Sequence, residues 1–264
     1  MKTKHFKWQI PVIIVLSVSF IEAANLANPA ITLPDARISI GASYHLGGYT
    51  LTNDTIPALF NRIHGRVEYG PLKYLTVGID AGVTQIDVDR YIDISNDTVP
   101  IFHGKFGFSG GAHLKLSTPS FARRMISFIA IAQATLFTSK NKHTASYGGT
   151  DGTGIIGIQI HIPGFGFISA GPWVYLIQGE NRSFDGTTSF YSNTDNVRGW
   201  IAIDYFPKLK DLSTNKPYLS LEFSISPKAT YSERIPVQAF SVSISIGAIT
   251  KRLYGVESDI EWSP

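Results

Sequence analysis

Charged and imidazole side chains recur at every second position of several short segments, and they are the residues that could do chemistry. Arg62, His64, Arg66 and Glu68 follow this spacing in one segment, and His113 and Lys115 follow it in another. A carboxylate held beside a base could transfer protons, whereas a surplus of basic groups could favour anions in a pore. The candidates are Arg37, Arg62, His64, Arg66, Glu68, Asp80, Lys105, His113, Lys115, His161, Arg198, Asp204 and Glu222.

The elements that position these residues have a period of two, which is the period of a β-strand. From Arg37 to His45 the apolar Ile38, Ile40, Ala42 and Tyr44 share one face, and the polar residues share the other. The pattern predicts ten strands: 37–45, 60–69, 73–88, 102–116, 125–137, 153–162, 165–177, 196–206, 217–226 and 239–249. The segments 125–137 and 165–177 are apolar on both faces, so their orientation stays open, and Pro172 predicts a bulge.

The two faces favour a transmembrane barrel. An apolar face of about nine to eleven residues is typical of a tilted membrane-crossing strand. The opposite face carries glycine, serine, histidine and charged residues, which suit a wet interior. A soluble lipocalin-like carrier is the alternative. It would expose Ile156, Ile158 and Ile160 to water, which is an aggregation hazard.

The connections support the same interpretation. Long polar loops are predicted at 46–59, 89–101, 138–152, 178–195 and 227–238, and shorter turns at 70–72, 117–124, 163–164 and 207–216. Outer-membrane barrels alternate long outer loops with short periplasmic turns. Aromatic residues near the turns predict interfacial girdles: Tyr69, Tyr74, Phe165, Phe167, Tyr205, Phe206 and Tyr218. An even strand count closes the sheet, which leaves no polar edge in lipid.

The N-terminus has the order of an export signal. Three lysines precede the apolar run from Ile10 to Ile21, and Ala23 and Ala24 follow it. The run is shorter than the roughly twenty residues of a membrane helix. We therefore expect a cleaved signal peptide at 1–23, a periplasmic segment at 24–35, the barrel at 36–250 and a tail at 251–264.

Composition excludes several classes of function. The 264 residues include no cysteine, so there is no disulfide, thiolate metal site or cysteine nucleophile. A net charge of +3 gives no basis for nucleic-acid binding. Asp87, Asp89, Asp93 and Asp97 predict an acidic outer rim, but their spacing is not that of a calcium-binding loop. We expect no metal and no cofactor.

The ten alternating segments resemble bacterial outer-membrane β-barrel proteins as a class, over about residues 36–250. Ala27-Asn28-Pro29-Ala30 looks like the Asn-Pro-Ala near the start of some fatty-acid-transporter-like barrels, which are longer. The tail departs from the class, since Trp262 precedes Ser263-Pro264 rather than ending a strand. The resemblance implies an all-β, transmembrane, antiparallel up-and-down barrel in the outer membrane. Lipid and the barrel-assembly machinery are then its expected partners.

The expected function is a small structural or interaction barrel. Ten strands make a narrow lumen. The two registers of the second hairpin that keep the facing of both strands consistent put Asp80 opposite Arg62 or His64, which predicts a salt-bridged interior. A narrow channel for ions or small solutes is one alternative. A surface hydrolase is the other. The omptin-type proteases use acidic pairs and an Asp/His pair at the outer rim. Here Asp87-Val88-Asp89 lies near that rim without an Asp-X-His partner, so we expect no enzyme.

Overall fold

The computed structural model describes residues 30–33, 36–51, 56–89, 91–92, 98–99, 101–122, 125–207, 215–226 and 240–250. Its strands are β1 (Arg37–Thr50), β2 (Pro57–Leu72), β3 (Leu75–Val88), β4 (Tyr91–Ile92), β5 (Thr98–Val99), β6 (Phe102–His103), β7 (Lys105–Ser117), β8 (Ile126–Lys140), β9 (Ser146–Ile162), β10 (Gly166–Arg182), β11 (Thr188–Tyr205), β12 (Lys216–Ile225) and β13 (Phe240–Ile249). None of these described stretches contains a helix with the length and hydropathy of a membrane span.

Ten long strands, β1–β3 and β7–β13, form a closed antiparallel barrel. The first strand closes it, because Ser39 of β1 lies opposite Glu68 of β2 on one side and Ile249 of β13 on the other. Sequence neighbours pair throughout, so the connectivity is up-and-down and the predicted all-β fold class is confirmed. We call the end that carries the β2–β3 turn the lower end, and the opposite end the upper end.

The burial of the side chains follows the predicted alternation. On β3, Ile79 is 65% exposed and Asp80 is 3% exposed. On β9, Ile156 is 69% exposed, whereas its neighbour Ile155 is buried. Strands β8 and β10, whose orientation the sequence left open, bury these residues: Ile129, Ile131, Gln133, Thr135 and Phe137 on β8, and Trp173, Tyr175 and Ile177 on β10. Their two faces look alike in sequence because the lumen is apolar and aromatic on this side.

Strands β1, β2 and β8–β11 are longer than predicted, and the upper connections that join β1 to β2, β8 to β9 and β10 to β11 are shorter. The β8–β9 and β10–β11 connections cover only 141–145 and 183–187, so most of the predicted loops 138–152 and 178–195 are strand. The lower connection 118–125 is longer than either. The predicted strict alternation of long and short connections is therefore wrong. Polar and glycine-rich stretches still form backbone ladders in water, although they lack the apolar period that identifies a strand. The predicted loop 227–238 lies outside the described residues.

The β2–β3 turn also differs from the expectation. Strand β2 continues through Gly70-Pro71-Leu72, and the chain turns at Lys73 and Tyr74. Pro71 is tolerated because β2 extends there past its last pairing with β1. The shift places Asp80 opposite Arg66, so the expected partners Arg62 and His64 were wrong.

Pro172 does not produce the predicted bulge. The register between β9 and β10 is the same at Ala170, opposite Ile158, and at Trp173, opposite Ile155. Pro172 has no pairing with β9, because it lacks the N–H that a ladder hydrogen bond needs. A hydrogen bond is lost there, but no extra residue is inserted into the strand, so there is no bulge. The irregularity lies between Tyr175 and Ile177, against β11.

Two of the predicted girdle aromatics point into the barrel. Phe165 packs against Tyr205 with ring centroids 5.2 Å apart, and both are exposed. Phe167 and Tyr218 are instead buried, with Phe206 between them at 6.0 and 6.3 Å. Both residues occupy inward-facing positions in the alternation of their strands, so their rings narrow the lower end of the lumen.

Candidate functional site in the barrel interior

An ion-pair network crosses the lower half of the lumen. Lys115 Nζ lies 2.5 Å from Glu68 Oε1, which also lies 2.9 Å from His113 Nε2. The other ring nitrogen of His113, Nδ1, lies 2.8 Å from Asp80 Oδ2. Arg66 Nε donates to Asp80 Oδ1 over 2.7 Å. The network therefore joins three strands through side chains that are shielded from solvent.

A glycine lets the central histidine reach both carboxylates. Gly78 of β3 is paired with Glu68 on one side and with His113 on the other. A Cβ at Gly78 would lie 2.3 Å from His113 Nε2 and 3.0 Å from the carbonyl oxygen of Val67. The imidazole thus occupies the space above a residue that has no side chain.

The adjoining wall of the lumen, beside β2, carries many short side chains. Strands β1, β12 and β13 bury Ser39, Ser43, Ser220, Ser224, Ser241, Ser243 and Ser245. The hydroxyl of Tyr218 reaches across this wall, and a Cβ at Gly41 or Gly247 would lie 2.4 or 2.5 Å from it. Small residues here leave the narrow lumen to the long side chains of β2, β3 and β7.

Residues 30–33 lie inside the lower lumen. The backbone N–H of Leu33 donates to Thr76 Oγ1 over 2.7 Å, and Thr32 Oγ1 lies 2.8 Å from Ser117 Oγ. Lys115 Nζ donates to the carbonyl of Ile31 over 3.5 Å. The sequence placed these residues in a periplasmic segment and gave no sign that they would enter the barrel.

A second ion pair lies in the upper half. Arg62 pairs with Asp151, and its guanidinium carbon lies 5.0 Å from the ring centroid of Phe60 and 5.2 Å from that of Phe137. Sequence reasoning missed Asp151 because it assigned this residue to a loop. The signal was available, since Asp151 has the same parity as the inward-facing Gln159 of β9.

Arg198 lies nearby in an aromatic environment. Its Nη2 donates to the carbonyl of Gly48 over 2.6 Å. Its guanidinium carbon lies 4.9 Å from the ring centroid of Tyr49 and 5.1 Å from that of Trp173. Tyr175 packs on Tyr49 with centroids 4.2 Å apart.

The structure buries most of the candidate residues: Arg37, Arg62, His64, Arg66, Glu68, Asp80, His113, Lys115, Arg198, Asp204 and Glu222. His161 is half-buried and stacks on Phe167 at 4.9 Å. The predicted lumen-facing position of Lys105 is wrong, because its side chain is exposed. The register of β7 against β8 shifts between Phe106 and Ser109. The inward and outward alternation that holds from Ser109 onward therefore does not extend back to Lys105.

The predicted acidic rim is only partly described. Asp87 accepts a hydrogen bond from the N–H of Gly104 over 3.2 Å, and its Oδ1 lies 3.4 Å from Nδ1 of the exposed His103. Asp89 is buried, whereas Asp93 and Asp97 lie outside the described residues. In the part of the chain that is described, no group of three or more histidine and acidic side chains could hold a metal ion.

Comparison with known proteins adds little to this geometry. No family model matches the chain, and no curated protein matches it. Among solved structures, the chain is similar to one described as "CymD monoaromatic hydrocarbon channel", with 7% sequence identity and a TM-score of 0.31. The match covers 83% of this chain and 89% of that one. The function is therefore inferred from the barrel itself.

Proposed function

We propose that the chain is a bacterial outer-membrane β-barrel whose lumen is closed, and that it acts as a structural or interaction barrel rather than an open pore. The observation that carries the proposal is the buried ion-pair network across the lower lumen. The proposal includes the export signal at 1–23, and lipid and the assembly machinery as partners. It includes no catalytic step and no cofactor.

The outer wall supports a membrane location. Along β10 the outward residues from Ile168 to Leu176 are apolar, and the next outward residues are Gln178, Glu180 and Arg182. Eight residue steps of about 3.3 Å, tilted by about 40°, give a height of about 20 Å. This approaches the roughly 25 Å apolar band of outer-membrane barrels. The upper ends of β8–β11 would then project beyond the lipid.

The interior supports a closed lumen. The side chains of Glu68, Asp80, His113 and Lys115 are all at most 2% exposed. Buried charges are stable only while they are paired and hydrogen-bonded, so an ion crossing this layer would have to displace strong pairs. Residues 30–33 occupy the space below the network.

A narrow channel is the second candidate, and residues 30–33 favour it. This segment is held by polar contacts, among them those to Thr76, Lys115 and Ser117, and by the packing of Leu33 in an apolar cluster, rather than by a strand pairing. A segment held in this way could leave the lumen more easily than a strand could.

Single-channel recording in a planar bilayer separates the two candidates. The refolded chain without residues 1–23 should be silent, and so should a chain without residues 1–33, because the ion-pair network remains. Insertion is verified by a heat-modifiable band in detergent gels. Discrete current steps from the longer chain would refute the closed lumen. Steps from the shorter chain alone would favour a channel closed by its N-terminal segment.

A further inference from the structure

Within the described part of the upper lumen, one buried cation has no acidic partner. Arg198 is 3% exposed, and among the described residues no carboxylate lies within ion-pair distance of it. Its Nη2 donates to the carbonyl of Gly48, whereas no described residue supplies an acceptor to its Nε and Nη1 atoms. The other upper-lumen arginine, Arg62, has Asp151. A buried guanidinium without a counter-ion is costly.

The side chains around Arg198 add further donors. The hydroxyls of Tyr49 and Tyr175 and the indole Nε1 of Trp173 are also buried, and no described residue forms a hydrogen bond with them. The three rings contact one another, with centroids 4.2 to 6.5 Å apart, and Arg198 lies against two of them. We call these four residues the Arg198 cluster. It combines positive charge, unused donors and aromatic surface.

We propose that the Arg198 cluster binds the carboxylate of a small aromatic acid. A carboxylate is acceptor-only and offers about four lone-pair sites, which matches a group with surplus donors. An aromatic ring on the same solute would pack against the Tyr and Trp rings. The solute enters from the upper end, because the ion-pair network and residues 30–33 cross the lumen below. This site goes beyond the proposed closed barrel and does not depend on conductance.

Isothermal titration calorimetry on the refolded chain in detergent tests the proposal with sodium benzoate. Benzamide has the same ring without the charge, and acetate has the charge without the ring. Benzoate should bind saturably, acetate more weakly, and benzamide not at all. Arg198→Gln should lower benzoate affinity roughly tenfold to a hundredfold, because a charge-assisted hydrogen bond is lost. Lys105→Gln removes an exposed cation and should leave the affinity unchanged.

A milder variant tests the same site if Arg198→Gln does not fold. Tyr175→Phe removes one hydroxyl and should weaken benzoate binding by roughly threefold to tenfold. The proposal is overturned if benzamide binds as tightly as benzoate, if Arg198→Gln binds normally, or if the folded wild-type chain binds no benzoate. Conductance bears only on the closed lumen, so the two proposals fail separately.

Discussion

Lys115→Met tests whether the ion-pair network holds the barrel together. Lys115 is fully buried, and its ammonium lies 2.5 Å from Glu68 Oε1 and 3.5 Å from the carbonyl oxygen of Ile31. Methionine conserves much of the volume but leaves the buried Glu68 carboxylate without its lysine. Breaking a buried pair from one side costs about 3–5 kcal/mol. We expect the free energy of unfolding to fall by about that amount.

The double variant Lys115→Met/Glu68→Gln measures the interaction between these two side chains separately from their other contacts. Removing both charges leaves no unpaired ion, so it should cost less than the sum of the two single changes, with a coupling of about 0.5–3 kcal/mol. Lys105→Met is the matched control, since this exposed lysine lies outside the network. Its effect should stay within about 0.5 kcal/mol.

Urea unfolding of barrels refolded into lipid vesicles measures these energies, with fluorescence from Trp173 and Trp200 in the lumen as the probe. The reasoning is refuted if Lys115→Met costs no more than Lys105→Met. It is also refuted if the double variant shows no coupling, because the two charges would then act independently.

Two further predictions use matched pairs of sites. Gly78→Ala places a Cβ 2.3 Å from His113 Nε2 and should cost about 1–3 kcal/mol in urea unfolding. Gly65→Ala, where the nearest atom is 3.8 Å away, should be almost neutral, and equal costs would contradict the role given to Gly78. Ile158→Arg should cost about 2–4 kcal/mol of stability in lipid and reduce the heat-modifiable band. Thr150→Arg, eight residues away on the same face of β9, should insert normally; equal insertion of both variants would place the lipid band wrongly.

The sequence by itself determined the strand content and the facing of most strands. Side chains of a strand alternate strictly between its faces, so the exposure of Ile79 and the burial of Asp80 could be read from position alone. The same parity would have placed Asp151 in the lumen. The alternation was not extended to Asp151 because the polar stretch around that residue resembles a loop.

Only the tertiary structure decided which inward residues meet. Alternation gives the face of a residue but not the register between strands, and the turn at Lys73 and Tyr74 moved the partner of Asp80 to Arg66. Arg62 and Asp151 are 89 residues apart in the chain and meet because the barrel closes. Closure also places Arg198 where no described carboxylate reaches it, and it admits residues 30–33 to the lumen. These contacts depend on distances across a closed sheet, which no local pattern in the chain encodes.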